Sequence, residues 1–144
     1  MTSLAIHKPT FSKLVVAGAA AMAAAVLVNL AVLFILRPLL GLNPEFAPFN
    51  PVTITFITIL YTFVGWLVYL VVNRFAKNPA RIYVIIATLA LLLSFIPNLA
   101  AVSNPASFPT PGAPGTARDF AVLMVFHVTA FAAFVGVLLR MVKR

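Results

Sequence analysis

His127 lies within a long apolar stretch of this 144-residue chain, where an ionisable side chain is costly and marks a functional site unless a neighbour satisfies it. One interpretation is structural: a neutral imidazole hydrogen-bonded to Ser94, Asn29 or a threonine. The functional alternatives are a haem ligand, a hydrogen-bond donor to a quinone, or a proton relay. The polar groups that the fold brings near His127 therefore decide its chemistry.

Other polar side chains interrupt the apolar stretches at a similar depth. At 1.5 Å of helix rise per residue, four side chains lie roughly 10 Å below the predicted outer edge of the apolar layer: Asn29, Thr58, Ser94 and His127. Thr62 lies one turn deeper. Pro97 frees a backbone carbonyl nearby, which Ser94 or His127 is placed to satisfy. The candidate ligand-pocket residues are His127, Asn29, Ser94, Thr58, Thr62 and Asn98.

The sequence shows no catalytic or metal-binding constellation. A hydrolase would need a nucleophile, a base and an orienting acid, but the two acids of the chain, Glu45 and Asp119, both lie at the predicted outer boundary of the membrane. A bis-histidine haem would need a second buried histidine, but His7 precedes the first stretch, and the chain has no cysteine for thiolate or Cys-based metal chemistry. We expect no enzyme, metal or cofactor, and a redox subunit that uses His127 with haem or quinone stays an alternative.

Composition indicates the environment of the chain. It is 63% hydrophobic and 8% charged, whereas a soluble domain is about 45–50% apolar and about 25% charged. Apolar runs long enough to cross a bilayer, about 18 residues or more, cover residues 14–36, 52–73, 82–102 and 120–142. We predict an all-α membrane protein, a single domain of four transmembrane helices in an up-down-up-down bundle.

Prolines shape the predicted connections. Segments 37–51 and 103–119 are rich in proline and are predicted to be loops on one side of the membrane, the second of them structureless. The run that starts at Ile82 meets Pro97 after about fifteen residues, too few to cross at 1.5 Å each. Either the helix kinks at Pro97 and continues to Val102, which we expect, or its end is re-entrant and protected by protein.

The distribution of the positive charges predicts orientation. Short loops rich in Lys and Arg stay in the cytoplasm, so both termini and the turn between the second and third helices are predicted to be cytoplasmic. The cations on that side are Lys8, Lys13, Arg74, Lys77, Arg81, Arg140, Lys143 and Arg144. Because they flank apolar runs, we expect the lipid bilayer as partner and no nucleic acid. The basic start and alanine-rich first run leave a cleaved signal as an alternative.

Two stripes of small and polar residues at helical spacing are predicted to face protein, because such residues let membrane helices approach closely. The first comprises Ala17, Ala21, Ala25 and Asn29, and the second comprises Thr55, Thr58, Thr62, Gly65 and Tyr69.

Short segments across the chain resemble an uncharacterised bacterial family of four-helix integral membrane proteins, a domain-of-unknown-function family. They are Thr62-Phe63-Val64-Gly65-Trp66, the basic turn ending at Arg81, Leu92-Leu93-Ser94-Phe95-Ile96-Pro97 and the single His127 in the fourth run. The resemblance implies a four-helix protein of the bacterial plasma (inner) membrane and brings no assigned activity, cofactor or catalytic residue.

The leading functional hypothesis is an accessory or interaction subunit that packs against a membrane protein or a second copy of itself, because the small size leaves little room for an alternating-access core. The alternative is a carrier or sensor of a small lipophilic ligand in the polar layer of the outer half, oriented by His127 and Asn29.

Overall fold

Four long helices form the protein in the computed structural model, which describes residues 9–143. They are α1 (Phe11–Leu40), α2 (Pro51–Phe75), α3 (Pro79–Ser103) and α4 (Ala117–Lys143). Each is long and apolar enough to cross a membrane. The chain is therefore a multi-pass membrane protein with an all-α, four-helix bundle fold, as its composition predicts.

Side-chain caps fix where α1, α2 and α4 begin, and the cap of α1 is Thr10, whose hydroxyl accepts from the Lys13 N–H. The Asn50 side chain accepts a hydrogen bond from the backbone N–H of Val52 at 2.8 Å, directly before α2. Before α4, Thr116 and Asp119 form a reciprocal capping box, in which the carboxylate accepts from the Thr116 N–H at 2.9 Å. Asp119, one of the two acids of the chain, therefore has a structural partner at the start of α4.

The helices extend past the predicted spans. The first predicted loop, 37–51, begins later than predicted, because α1 runs through Pro38 to Leu40 and ends at Gly41 with a left-handed φ of 58°. A proline this close to a helix end removes only one of the last backbone hydrogen bonds. The helix α3 continues through Pro97 to Ser103, as expected.

Sequential helices pack side by side and antiparallel. Near the start of α1, Leu14 O accepts a hydrogen bond from Trp66 Nε1 of α2 at 3.0 Å, and farther along α1, Asn29 bonds to Thr58, which comes earlier in α2. The helix α4 packs closely against α1 and α3, whereas α2 and α3 pack together more loosely. This arrangement leaves space between α2 and α3.

Both small-residue stripes face protein, as predicted. Ala17, Ala21 and Ala25 are fully buried, and Asn29 is nearly so. On α2, Thr58, Thr62 and Tyr69 are buried, and Thr55 and Gly65 are half-buried. Gly18 lies beside the first stripe, and the Trp66 indole packs directly against Gly18. The contact is so close that a Cβ at position 18 would overlap the indole.

The end of the bundle formed by residues 41–50 and 104–116, called the loop end here, is ordered by aromatic packing. Phe46 is fully buried and makes edge contacts with Phe49 and Phe120, with ring centroids 5.0 and 5.6 Å apart. The Ala113 N–H donates to Glu45 O at 3.0 Å, which joins the two loops. The prediction of a structureless second loop is therefore wrong, because its backbone is hydrogen-bonded to the first loop next to the buried Phe46.

Candidate functional site

A cavity of about 580 Å³ lies between α2, α3 and α4, and Asn29 of α1 also lines it. This volume falls within the range of about 300–1,000 Å³ of small-molecule sites. Along α3 the lining extends from Tyr83 to Pro97, a length of about 21 Å at 1.5 Å per residue. The cavity is therefore elongated along the bundle axis.

The cavity opens sideways. Several of its lining residues are also exposed on the outside of the bundle, and Tyr61 is 68% exposed. We call this opening the mouth, and it is formed by Ile57, Tyr61 and Val64 of α2 with Ile86, Ala90 and Pro97 of α3. Because these helices span the membrane, the mouth faces the lipid between α2 and α3.

His127 and Ser94 form the polar contact between α4 and α3. The imidazole Nδ1 lies 2.8 Å from Ser94 Oγ, and the Ser94 hydroxyl lies 2.6 Å from the carbonyl oxygen of Leu91, to which it donates. His127 and Ser94 both line the cavity. The structural interpretation of His127 therefore has its partner, and the same pair is also part of the cavity wall.

Asn29 joins three helices at the same cavity. Its Nδ2 donates to Thr58 Oγ1 of α2 at 3.0 Å, and its Oδ1 accepts from Thr129 Oγ1 of α4 at 2.7 Å. Asn29 is buried and its amide is held at both ends. Thr129 is absent from the residues singled out in the sequence, although its place two residues after His127 in an apolar run was the available signal.

Of the six residues predicted to form the pocket, five line the cavity: His127, Asn29, Ser94, Thr58 and Thr62. The Thr62 hydroxyl donates back to Thr58 O at 2.6 Å, so it also completes the backbone of its own helix.

Asn98 is buried and lies outside the cavity lining, and its Nδ2 donates to Ser94 O at 3.1 Å. The hydroxyl of Ser94 donates to Leu91 O, whereas Pro97 frees the carbonyl four residues before it. Of the two side chains predicted to satisfy the carbonyl that Pro97 frees, Ser94 therefore bonds to a different carbonyl.

The lining is neutral apart from the titratable His127. Its walls are mostly aliphatic and aromatic, and its polar groups are the imidazole, one amide, and the hydroxyls of serine, threonine and tyrosine. Within residues 9–143, no group of three or more His, Cys, Asp or Glu side chains could hold a metal ion, and His7 lies outside the described residues. The groups present can hydrogen-bond the head of an otherwise apolar molecule.

Two buried asparagines give a test of the Asn29 contacts. We expect Asn29→Leu to lower the free energy of unfolding by about 1–2 kcal/mol, because side-chain hydrogen bonds between membrane helices contribute about 0.6–1.7 kcal/mol each. Asn73→Leu is the matched control. Asn73, on α2, is also buried, but its Oδ1 has no hydrogen-bond partner within the described chain. We expect Asn73→Leu to leave stability unchanged or higher. Unfolding in mixed micelles by titration with a denaturing detergent measures both, and equal losses would contradict the assignment.

Comparison with known proteins gives one informative result. The model of a family of unknown function (DUF6069) matches residues 9–144. No curated protein and no solved structure gives a significant match.

Proposed function

We propose that the chain, which belongs to the DUF6069 family of unknown function, binds a small lipophilic molecule taken from the bilayer. The supporting observation is the cavity between α2, α3 and α4, whose mouth faces lipid and whose wall contains His127. A molecule dissolved in the membrane reaches such a cavity without crossing water.

The lining supports binding of an amphiphile with a small polar head. Apolar side chains such as Val68, Ala87 and Phe134 suit a hydrocarbon tail, and most of the polar groups, among them Asn29, Ser94 and His127, lie nearer the loop end. A few placed polar groups in an apolar pocket orient a ligand and provide specificity. We therefore propose a carrier or sensor.

We also propose that the protein lies in the plasma membrane with both termini in the cytoplasm. Support comes from the charges, since Lys13, Arg74, Lys77, Arg81, Arg140 and Lys143 lie at the end of the bundle opposite the loop end. At the loop end, Arg37 and Arg118 are accompanied by Glu45 and Asp119. In this orientation, the polar part of the cavity lies in the outer half of the membrane.

A cavity-blocking variant tests the proposed function. Ala90 lines the mouth and is exposed, so Ala90→Trp is expected to fill the mouth without disturbing the core. Ala100→Trp is the matched control, because Ala100 is an exposed alanine on the same helix outside the cavity lining. Native mass spectrometry of protein released from lipid nanodiscs measures bound small molecules, and we expect the wild type and Ala100→Trp to retain a molecule that Ala90→Trp loses.

Retention of the same molecules by all three proteins, or none by the wild type, would contradict the proposal. The leading hypothesis from the sequence is an accessory subunit. It stays a prediction, and the same experiment distinguishes it from ligand binding. It predicts a second polypeptide in the spectrum, bound equally to the wild type and Ala90→Trp.

A further inference from the structure

We infer, on the basis of the ligand binding proposed above, that the polar head of the ligand is a hydroxyl group that donates its hydrogen to Nε2 of His127. The ligand class is therefore a long-chain alcohol or an alkylphenol, rather than a ketone, a quinone or an ether.

The Ser94 hydroxyl has a single hydrogen, and the position of this hydrogen sets the tautomer of His127. Leu91 O, 2.6 Å from Ser94 Oγ, is a carbonyl oxygen and can only accept, so the hydroxyl hydrogen lies between these two atoms. The hydrogen in the second contact, 2.8 Å between Ser94 Oγ and His127 Nδ1, must then come from the imidazole. Ser94 therefore holds His127 in the tautomer that carries its hydrogen on Nδ1.

The other ring nitrogen of His127, Nε2, is left as a hydrogen-bond acceptor. A neutral imidazole has one N–H, so a hydrogen on Nδ1 leaves a lone pair on Nε2, which accepts hydrogen bonds and cannot donate them. Within residues 9–143, Nε2 has no hydrogen-bond partner. It is also not among the fully buried atoms, so it is accessible. Because His127 lines the cavity, we assign Nε2 as an acceptor open to a ligand there.

The polar groups of the cavity favour a hydroxyl as the head of the ligand. The Thr58 hydroxyl accepts from Asn29 at 3.0 Å and, within the described residues, its own hydrogen has no acceptor, so the cavity also offers a donor. A hydroxyl head can donate to Nε2 and accept from such a donor, whereas a carbonyl or an ether can only accept. An ammonium head would bring a full charge against neutral side chains in an apolar layer.

The length of the cavity indicates how long the apolar tail of the ligand is. From the level of Ser94, the lining continues along α3 to Tyr83, about 16 Å at 1.5 Å per residue. A phenol ring followed by an alkyl chain of about ten carbons has about this length.

The test compares 4-decylphenol with its methyl ether, 4-decylanisole, which has the same tail and no hydroxyl hydrogen. Binding to protein in nanodiscs is measured against empty nanodiscs, so that partition into lipid cancels. For the wild type, we expect the phenol to bind about tenfold more tightly, which corresponds to about 1.4 kcal/mol.

Ser94→Ala tests the positioning role of Ser94. Without the serine oxygen, Nδ1 loses its acceptor and the two tautomers become accessible, so the preference for the phenol should fall below about threefold. The ¹⁵N chemical shifts of His127 should change from those of an Nδ1–H tautomer to those of a mixture. Ser103→Ala is the control, because Ser103 is on the same helix and donates to its own backbone, at Leu99 O, 3.0 Å away. It should keep the wild-type preference and shifts.

The outcomes separate the two proposals. Equal binding of phenol and ether, blocked by Ala90→Trp, would overturn the hydroxyl inference and leave the proposed function standing. An unchanged phenol preference in Ser94→Ala would overturn the role of Ser94 and with it this inference. Failure of both compounds to bind the wild type overturns this inference for the alkylphenol class, and the retained-molecule experiment then decides the proposed function by itself.

Discussion

Gly18→Ala is expected to lower the free energy of unfolding by about 2–4 kcal/mol, the sum of overpacking and a lost hydrogen bond. An added Cβ at position 18 would overlap the Trp66 indole, whose Nε1 donates to Leu14 O at 3.0 Å. The indole therefore has to move, and it cannot move without giving up this bond between α2 and α1. Detergent-induced unfolding of the purified protein measures the loss.

Gly136→Ala is the matched control for Gly18→Ala. Gly136 is also a helical glycine, on α4, and a Cβ there would meet nothing within 4 Å. We expect this variant to be as stable as the wild type or up to about 1 kcal/mol more stable, because alanine favours helix. Equal destabilisation by both substitutions would contradict the Gly18–Trp66 packing. In a Trp66→Leu background, Gly18→Ala should cost less, because the clash is gone.

His127→Leu is expected to weaken ligand binding about 5- to 150-fold while the bundle stays folded. The substitution removes the acceptor Nε2 and the contact with Ser94, but the Ser94 hydroxyl keeps its bond to Leu91 O. A hydrogen bond left unmade in a buried site costs about 1–3 kcal/mol, and each 1.4 kcal/mol is tenfold in affinity. Stability should change by less than about 1 kcal/mol. Native mass spectrometry and unfolding measurements give the two quantities.

Val128→Leu is the control for His127→Leu, because Val128 is the next residue of α4 and is exposed on the outside of the bundle. It should bind ligand as the wild type does. If His127→Leu retained ligand at the wild-type level while Ala90→Trp lost it, the cavity would be the binding site and the imidazole would not contact the ligand.

The fold was predictable because the bilayer imposes it. Apolar runs of spanning length fixed the number of helices, and the spacing of Ala17, Ala21 and Ala25 fixed a buried face. Counting rise per residue also placed Ser94 and His127 at one depth, and the structure joins them at 2.8 Å. Depth and face are properties of a single helix, so a sequence contains them.

The rest of the site depends on how helices are rotated and spaced relative to one another. Thr129 bonds to Asn29 across the bundle, and Asn98 bonds back to its own helix, although both are polar residues within apolar runs of the sequence. The cavity itself results from looser packing of α2 against α3 than of α1 and α3 against α4. The order of the second loop likewise depends on Phe46, a residue of the other loop. Such contacts join residues far apart in the chain, and periodicity does not report them.

The most direct test of the central claim is intermolecular NMR between the protein's alanine methyl groups and the molecule that co-purifies with it in nanodiscs. Ala90 and Ala130 line the cavity, whereas Ala100 is exposed outside it. Nuclear Overhauser effects from one bound molecule to Ala90 and Ala130, and absent at Ala100, are the predicted result. Effects at Ala100 as strong as at Ala90, with none at Ala130, would show ordinary lipid around the bundle and would contradict a ligand in the cavity.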